Sequence, residues 1–222
     1  GEVLGVSGLI GAGRTEVMRA IFGADKYDSG ECIIYDKQRK PRTPREIINL
    51  GVGLIPEDRR EQGLLLGKSV KDNTTLASIY VNSKHGFIDF LWEKKESLSY
   101  IDKLKIKTPS EKTITRNLSG GNQQKVVIAK WLLAQSKILI MDEPTRGIDV
   151  NAKAEIYQLM KTFVENGGSI ILVSSELPEV IGCSNRILVM REGMITGILD
   201  EQEATEERIM MFASKEKADE EG

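Results

Sequence analysis

Histidine is almost missing from this sequence, with one in 222 residues, and cysteine appears only twice. Cys32 and Cys183 stand far apart with no metal-ligand spacing. Neither a zinc module nor a disulfide framework is expected; buried thiols in a reducing compartment are the plain reading. His85 lies in the polar run Asn82-Ser83-Lys84-His85-Gly86 and reads as a solvated loop residue. No apolar run approaches the roughly 20 residues of a membrane-spanning helix, and no signal peptide is expected. Any tie to a membrane then has to pass through a partner. A net charge of −2 gives no electrostatic case for nucleic acid. Hydrophobic content of 40% and charged content of 29% suit an ordinary globular chain, of a length for one domain or one domain with a subdomain.

What is there centres on Asn117 to Glu143. Leu118-Ser119-Gly120-Gly121-Asn122-Gln123-Gln124-Lys125 opens a helix whose start carries no side-chain bulk. Free backbone N–H groups and the positive end of the helix dipole would face an approaching anion there. Asn122, Gln123 and Gln124 are expected to keep that end polar, and Val126, Val127, Ile128, Trp131 and Leu132 to form an apolar face. Ile138 to Met141 then delivers Asp142 and Glu143, as a buried parallel strand does at its C-terminal edge. This order resembles the ABC ATPase family, with an LSGGNQ signature followed by a Walker B strand and its catalytic Glu.

At the start of the chain, the strand Glu2 to Ser7 leads into Gly8-Leu9-Ile10-Gly11-Ala12-Gly13-Arg14-Thr15-Glu16 and the helix Val17 to Phe22. Strand, glycine-rich loop and helix form the setting of a P-loop, whose backbone N–H groups wrap phosphates. Arg14 stands where the pattern has Lys; it is planar and longer, so it does not replace a point charge neutrally. Thr15 keeps a hydroxyl for Mg²⁺. Glu16 either repels phosphate or simply complements the helix dipole.

Further along, a strand is expected within Asp28–Tyr35, a turn at Asp36–Gln38, a short helix over Pro44–Asn49 and a strand over Gly51–Ile55. Val70–Tyr80 and Trp92–Leu104 read as amphipathic helices around an irregular Val81–Leu91. After Glu143 come a helix over Val150–Glu165, a buried strand over Gly168–Val173, and strands Arg186–Arg191 and Met194–Leu199 about a Glu192-Gly193 turn. A helix over Thr205–Ala213 closes the fold, and Ser214–Gly222 reads as a frayed tail.

The resemblance implies more. Gly-Ala-Gly-Arg-Thr-Glu, Pro-Glu-Asp-Arg, the signature, Asp-Glu-Pro-Thr-Arg-Gly-Ile-Asp-Val and Ser-Ser-Glu-Leu-Pro-Glu-Val resemble the second ABC module of tandem ATP-binding proteins of bacterial monosaccharide importers. The implied fold is α/β: a P-loop NTPase core with a mostly parallel sheet (about residues 1–60 and 126–213) and an inserted helical subdomain (about 61–125). The strands that normally precede the P-loop would be cut off. The implied ligands are ATP and Mg²⁺. Gly8, Gly11, Ala12, Gly13, Arg14, Thr15 and Glu16 would surround the phosphates, and Thr15 and Asp142 would hold the metal. Glu143 would polarise the attacking water. Glu57 takes the place of the family's Gln beside Mg²⁺, or is only a charged loop residue. Ser175 takes the place of the switch histidine. Ser119, Gly120, Gly121 and Gln123, with Asp149 of the following loop, would serve nucleotide across a head-to-tail dimer. The implied partners are a first ABC module of the same polypeptide, a transmembrane permease and, indirectly, a sugar-binding protein outside the cell. The chain would work at the cytoplasmic face of the membrane, without nucleic acid.

Overall fold

The computed structural model describes residues 1–40, 42–83 and 87–214; His85 and the tail from 215 onward fall outside them. The chain begins with β1 (Val3–Gly8) and α1 (Arg14–Phe22), followed by β2 (Cys32–Ile34), β3 (Lys37–Arg39), α2 (Pro44–Ile48) and β4 (Val52–Ile55). Next come α3 (Val70–Thr75), α4 (Phe90–Lys103), α5 (Gly120–Leu133), β5 (Ile138–Asp142) and α6 (Val150–Glu165). The last elements are β6 (Ser169–Val173), α7 (Leu177–Cys183), β7 (Arg186–Arg191), β8 (Met194–Asp200) and α8 (Glu206–Ser214).

Six strands form one sheet in the order β4-β5-β6-β1-β7-β8, parallel except for β8. Every residue of β4, and all of β5 after Ile138, is buried. Such unbroken apolar runs belong to strands covered on both faces. Phe22 of α1 and Trp131 of α5 meet edge to face at 5.8 Å. The Trp131 ring lies so close to β4 that a Cβ on Gly53 would stand 2.8 Å from it. A second core, Val180, Ile187, Val189, Leu199, Ile209 and Ala213, joins α7 and α8 to β7 and β8.

Four expectations change. The turn between β2 and β3 is Tyr35-Asp36, both with positive φ (52° and 56°), so Lys37 and Gln38 are strand residues. A two-residue hairpin turn demands that conformation; the usual Gly was not there to announce it. The helix from Val70 ends at Thr75 instead of Tyr80. Thr75 Oγ1 bonds back to the Lys71 carbonyl, and Asn73 spends its amide on Leu65, Ser69 and Thr115, so side chains compete with the helical ladder. The signature helix α5 is buried on all sides rather than on one face: Gln123 and Gln124 are each 1% exposed and Lys125 3%. Lastly, α7 was not anticipated, although Pro178 in its first turn is a standard opening.

Candidate functional site

Parallel strands place their C-terminal ends together, and the loops leaving β1, β4, β5 and β6 converge there. They enclose a cleft of about 560 Å³ lined by Gly11, Ala12, Gly13, Arg14, Thr15, Glu16, Glu57, Asp142, Glu143, Arg146 and Ser175. The sequence separates these residues widely; the sheet brings them to one place.

The glycine-rich loop turns through Gly13, whose φ of 91° leads into the first turn of α1. The N–H groups of that turn have no carbonyl partner within the helix and face the cleft with the helix dipole behind them. Glu16 stands exposed in the same turn. Gly8 lies outside the cleft lining; a Cβ there would stand 2.3 Å from the Met190 carbonyl, so it allows β1 to approach β7.

Arg14 does not reach freely into the cleft. Its Nη1 donates to the Ser174 carbonyl at 2.9 Å, and its Nη2 lies 3.9 Å from Glu143 Oε1. The side chain is only 10% exposed. Thr15 Oγ1 donates to Asp142 Oδ2 at 2.8 Å, while Asp142 Oδ1 is buried with no hydrogen-bond partner. An oxygen of that kind next to a hydroxyl suits a divalent cation that also takes phosphate oxygens and water. Among the described residues no group of three or more His, Cys, Asp or Glu could hold a metal. The donor set therefore fits a cation carried in with phosphate, not a cage built by protein alone.

Burial pushes the Asp142 carboxyl up from its ordinary pKa, against the Thr15 hydrogen bond and the Arg14 charge. Burial likewise raises Glu143, opposed by hydrogen bonding with Ser175 and then by Arg14. A raised carboxyl is a better proton acceptor than an ordinary one. Glu143 also sits in the left-handed region at φ 46°, its N–H held by the Val173 carbonyl. A non-glycine residue in that conformation carries strain that the surrounding contacts must hold.

The remaining expected residues lie outside this cleft lining. Ser119 is the N-cap residue of α5 and receives the Asn122 amide on its hydroxyl. Gly120 and Gly121 have a packing reason for lacking side chains. A Cβ at Gly120 would stand 2.7 Å from Arg59 Nη2, and one at Gly121 would stand 2.6 Å from the Ala152 Cβ. Gln123 is buried, and its amide donates to the Thr115 and Leu118 carbonyls, so it supports the turn before α5 and faces no ligand directly. Asp149 caps α6 through the Ala152 N–H.

Three residues that carry weight here lie in motifs quoted from the sequence but received no role of their own there. Arg59 donates to the Arg146 carbonyl at 2.8 Å and the Gly147 carbonyl at 3.4 Å, tying the loop after β4 to the loop after β5. Arg146 is ion-paired with Glu57 at the cleft edge. Glu179 is buried under both Thr145 and Ser174. The advance signals were the motifs Pro56-Glu57-Asp58-Arg59, Thr145-Arg146-Gly147 and Glu176-Leu177-Pro178-Glu179, which mark the positions without saying what each side chain touches.

Comparison with known proteins identifies the family and the fold. The family model described as "ABC transporter" matches residues 1–146. The chain is 52% identical over 214 residues to the ribose import ATP-binding protein RbsA of Bacillus subtilis, covering 96% of this chain and 43% of that protein. It thus spans less than half the length of the curated relatives it matches. Among solved structures, a nucleotide-free ATP-binding cassette from an ABC transporter has the same fold, with TM-score 0.81 and 18% identity. The match covers 97% of this chain and 88% of that one. A dimeric cassette bound to ADP and Pi matches at TM-score 0.76 and 22% identity over 90% of this chain and 85% of that one.

Proposed function

This chain belongs to the ABC transporter family, and we propose that it is an ATP-binding module of a bacterial monosaccharide importer whose signature face serves a partner's nucleotide more than its own cleft turns over ATP. The sugar class comes from the printed names of the relatives, which are ribose import ATP-binding proteins. The observation that carries the asymmetry is Arg14. At the P-loop position where the pattern has Lys, it is engaged by the Ser174 carbonyl and lies beside Glu143. Its own cleft is therefore restrained, while Ser119 to Gly121 opens α5 with an intact sequence.

In this reading the N–H groups of the Gly11–Thr15 loop cradle phosphates, and Arg14 and Glu16 set the charge around them. Thr15 and the unpartnered oxygen of Asp142 would hold Mg²⁺, which supplies charge neutralisation on the phosphates. Glu143, raised by burial, accepts the proton of the attacking water, and Ser175 orients it. Ser119, Gly120 and Gly121 donate to the terminal phosphate bound by the first ABC module of the same polypeptide, where donors aimed at developing charge matter most. Gln123 supports that element from beneath, and Asp149 stands at the head of α6 in the segment that would cross the dimer. Residues 1–60 and 126–213 act as the core and 61–125 as the helical subdomain; the packing of α3 and α4 on α5 is in keeping with this division. The Glu57 loop passes closure to a transmembrane permease on the cytoplasmic side, and the sugar reaches the permease through a binding protein outside the cell. No described helix is long and apolar enough to cross a membrane.

A second reading has a specific observation behind it. With Arg14 and Ser175 both acting on Glu143, the chain binds nucleotide as a regulatory module without turning it over. Phosphate release from Mg·ATP, followed across a protein concentration series with Glu143→Gln as control, separates the two. Activity that appears only on adding the first module and disappears with a Ser119 substitution supports the trans-acting reading. Release by this chain alone, rising faster than linearly and lost in the control, overturns the asymmetry. No release under either condition, with nucleotide still bound, favours the regulatory module.

A further inference from the structure

The segment after β6 folds back as α7 and brings Glu179 beneath the strand end, where the residue is 5% exposed. Its Oε1 accepts from Thr145 Oγ1 at 2.9 Å, and its Oε2 accepts from the Ser174 hydroxyl. Burial and then the charge of Glu179 push the Tyr157 phenol of α6 up to about 12. Thr145 and Ser174 are themselves buried, at 1% and 0% exposure. Buried polar groups of this kind are costly unless each finds a partner. Here a single carboxylate supplies that partner to two loops at once.

Those loops carry the surroundings of Glu143. Thr145 lies two residues beyond Glu143. Ser174 offers its carbonyl to Arg14, and the next residue, Ser175, lines the same cleft as Glu143. We propose that Glu179 is a positioning residue, which locks the 143–149 loop to the 174–176 loop and so keeps Glu143 in register with Arg14 and Ser175. The consequence for chemistry rests on the reading of Glu143 as the carboxylate that faces the nucleotide. The lock itself is measured on the loops, so its failure is distinguishable from a failure of that reading.

Amide hydrogen exchange on this chain tests it, with peptides covering 143–149 and 174–176 and, as reference, the interior of β5 and β6. Glu179→Leu speeds exchange in both loops by about tenfold or more, the factor expected when a buried hydrogen-bond pair is lost, and leaves the strand interiors within about twofold. Glu179→Gln keeps the shape and can bond both hydroxyls, so it returns both loops to within about threefold of the parent chain. Should Glu179→Leu fail to fold, Thr145→Val and Ser174→Ala carry the test. Each loosens the opposite loop as well as its own, and the double variant loosens them by less than the two effects combined. Effects confined to one loop, strictly additive effects, or an equal loss of protection through β5 and β6 overturn the proposal.

Discussion

Arg59 occupies the space that a side chain at residue 120 would need: its Nη2 stands 2.7 Å from the position of a Cβ on Gly120. The same guanidinium holds the carbonyls of Arg146 and Gly147. The first glycine of the signature is thus matched to an arginine from the loop after β4, and the loop after β5 is caught between them.

The two signature glycines differ in consequence for that reason. Gly120→Ala meets the Arg59 guanidinium, which can shift only by loosening its bonds to the Arg146 and Gly147 carbonyls, and comes within 3.2 Å of the Gly147 carbonyl, whereas Gly121→Ala meets the Cβ of Ala152 on a packed helix. Overpacking against fixed atoms costs about 1–3 kcal/mol. Gly121→Ala is expected to lower the unfolding midpoint clearly and Gly120→Ala by less, as chemical denaturation would measure. An equal loss in both would contradict the packing assignment.

Arg14→Lys replaces a guanidinium tied to Ser174 by a shorter-headed point charge. Nucleotide affinity of this chain is expected to rise by about tenfold, or 1.4 kcal/mol, in a titration with a fluorescent ATP analogue. Unchanged affinity would show that Arg14 already serves phosphate as well as lysine does.

The raised carboxyls of Asp142 and Glu143 have a stability consequence whose sign is fixed. Both bind protons more tightly folded than unfolded, so their ionisation costs stability as pH rises from the ordinary carboxylate range through their raised folded values. Asp142→Asn and Glu143→Gln should therefore raise the melting temperature of the chain at neutral pH. The gain shrinks toward the acid end. Thermal melts of the parent and both variants between weakly acid and neutral pH would reveal the opposite trend if burial were not the cause.

Lys130 reports the reverse case. Its ammonium donates to the Gly63 carbonyl at 2.8 Å, and burial pulls its pKa from 10.5 down to about 8. The folded chain gives up this proton before the unfolded chain does, so stability relative to Lys130→Met should rise as pH climbs from about 8 toward 10.5. The full span is about 3 kcal/mol. A flat difference across that window would mean that the ammonium is solvated.

What the sequence determined by itself is the set of local devices and their order. A glycine-rich loop between a strand and a helix, two acids closing an apolar strand, and Ser-Gly-Gly opening a helix are written within a few residues, because backbone conformation and short-range periodicity answer to neighbours. Only the tertiary structure decided what those devices touch. Arg14 and Ser174 lie 160 residues apart in the chain, Arg59 and Arg146 are separated by 87, and Thr145 and Glu179 by 34. Polar residues such as Gln123 and Glu179 read as surface by type, yet they are buried, since each finds fixed hydrogen-bond partners inside. Side-chain burial and pairing are set by which segments the sheet brings together, and that information is spread over the whole chain.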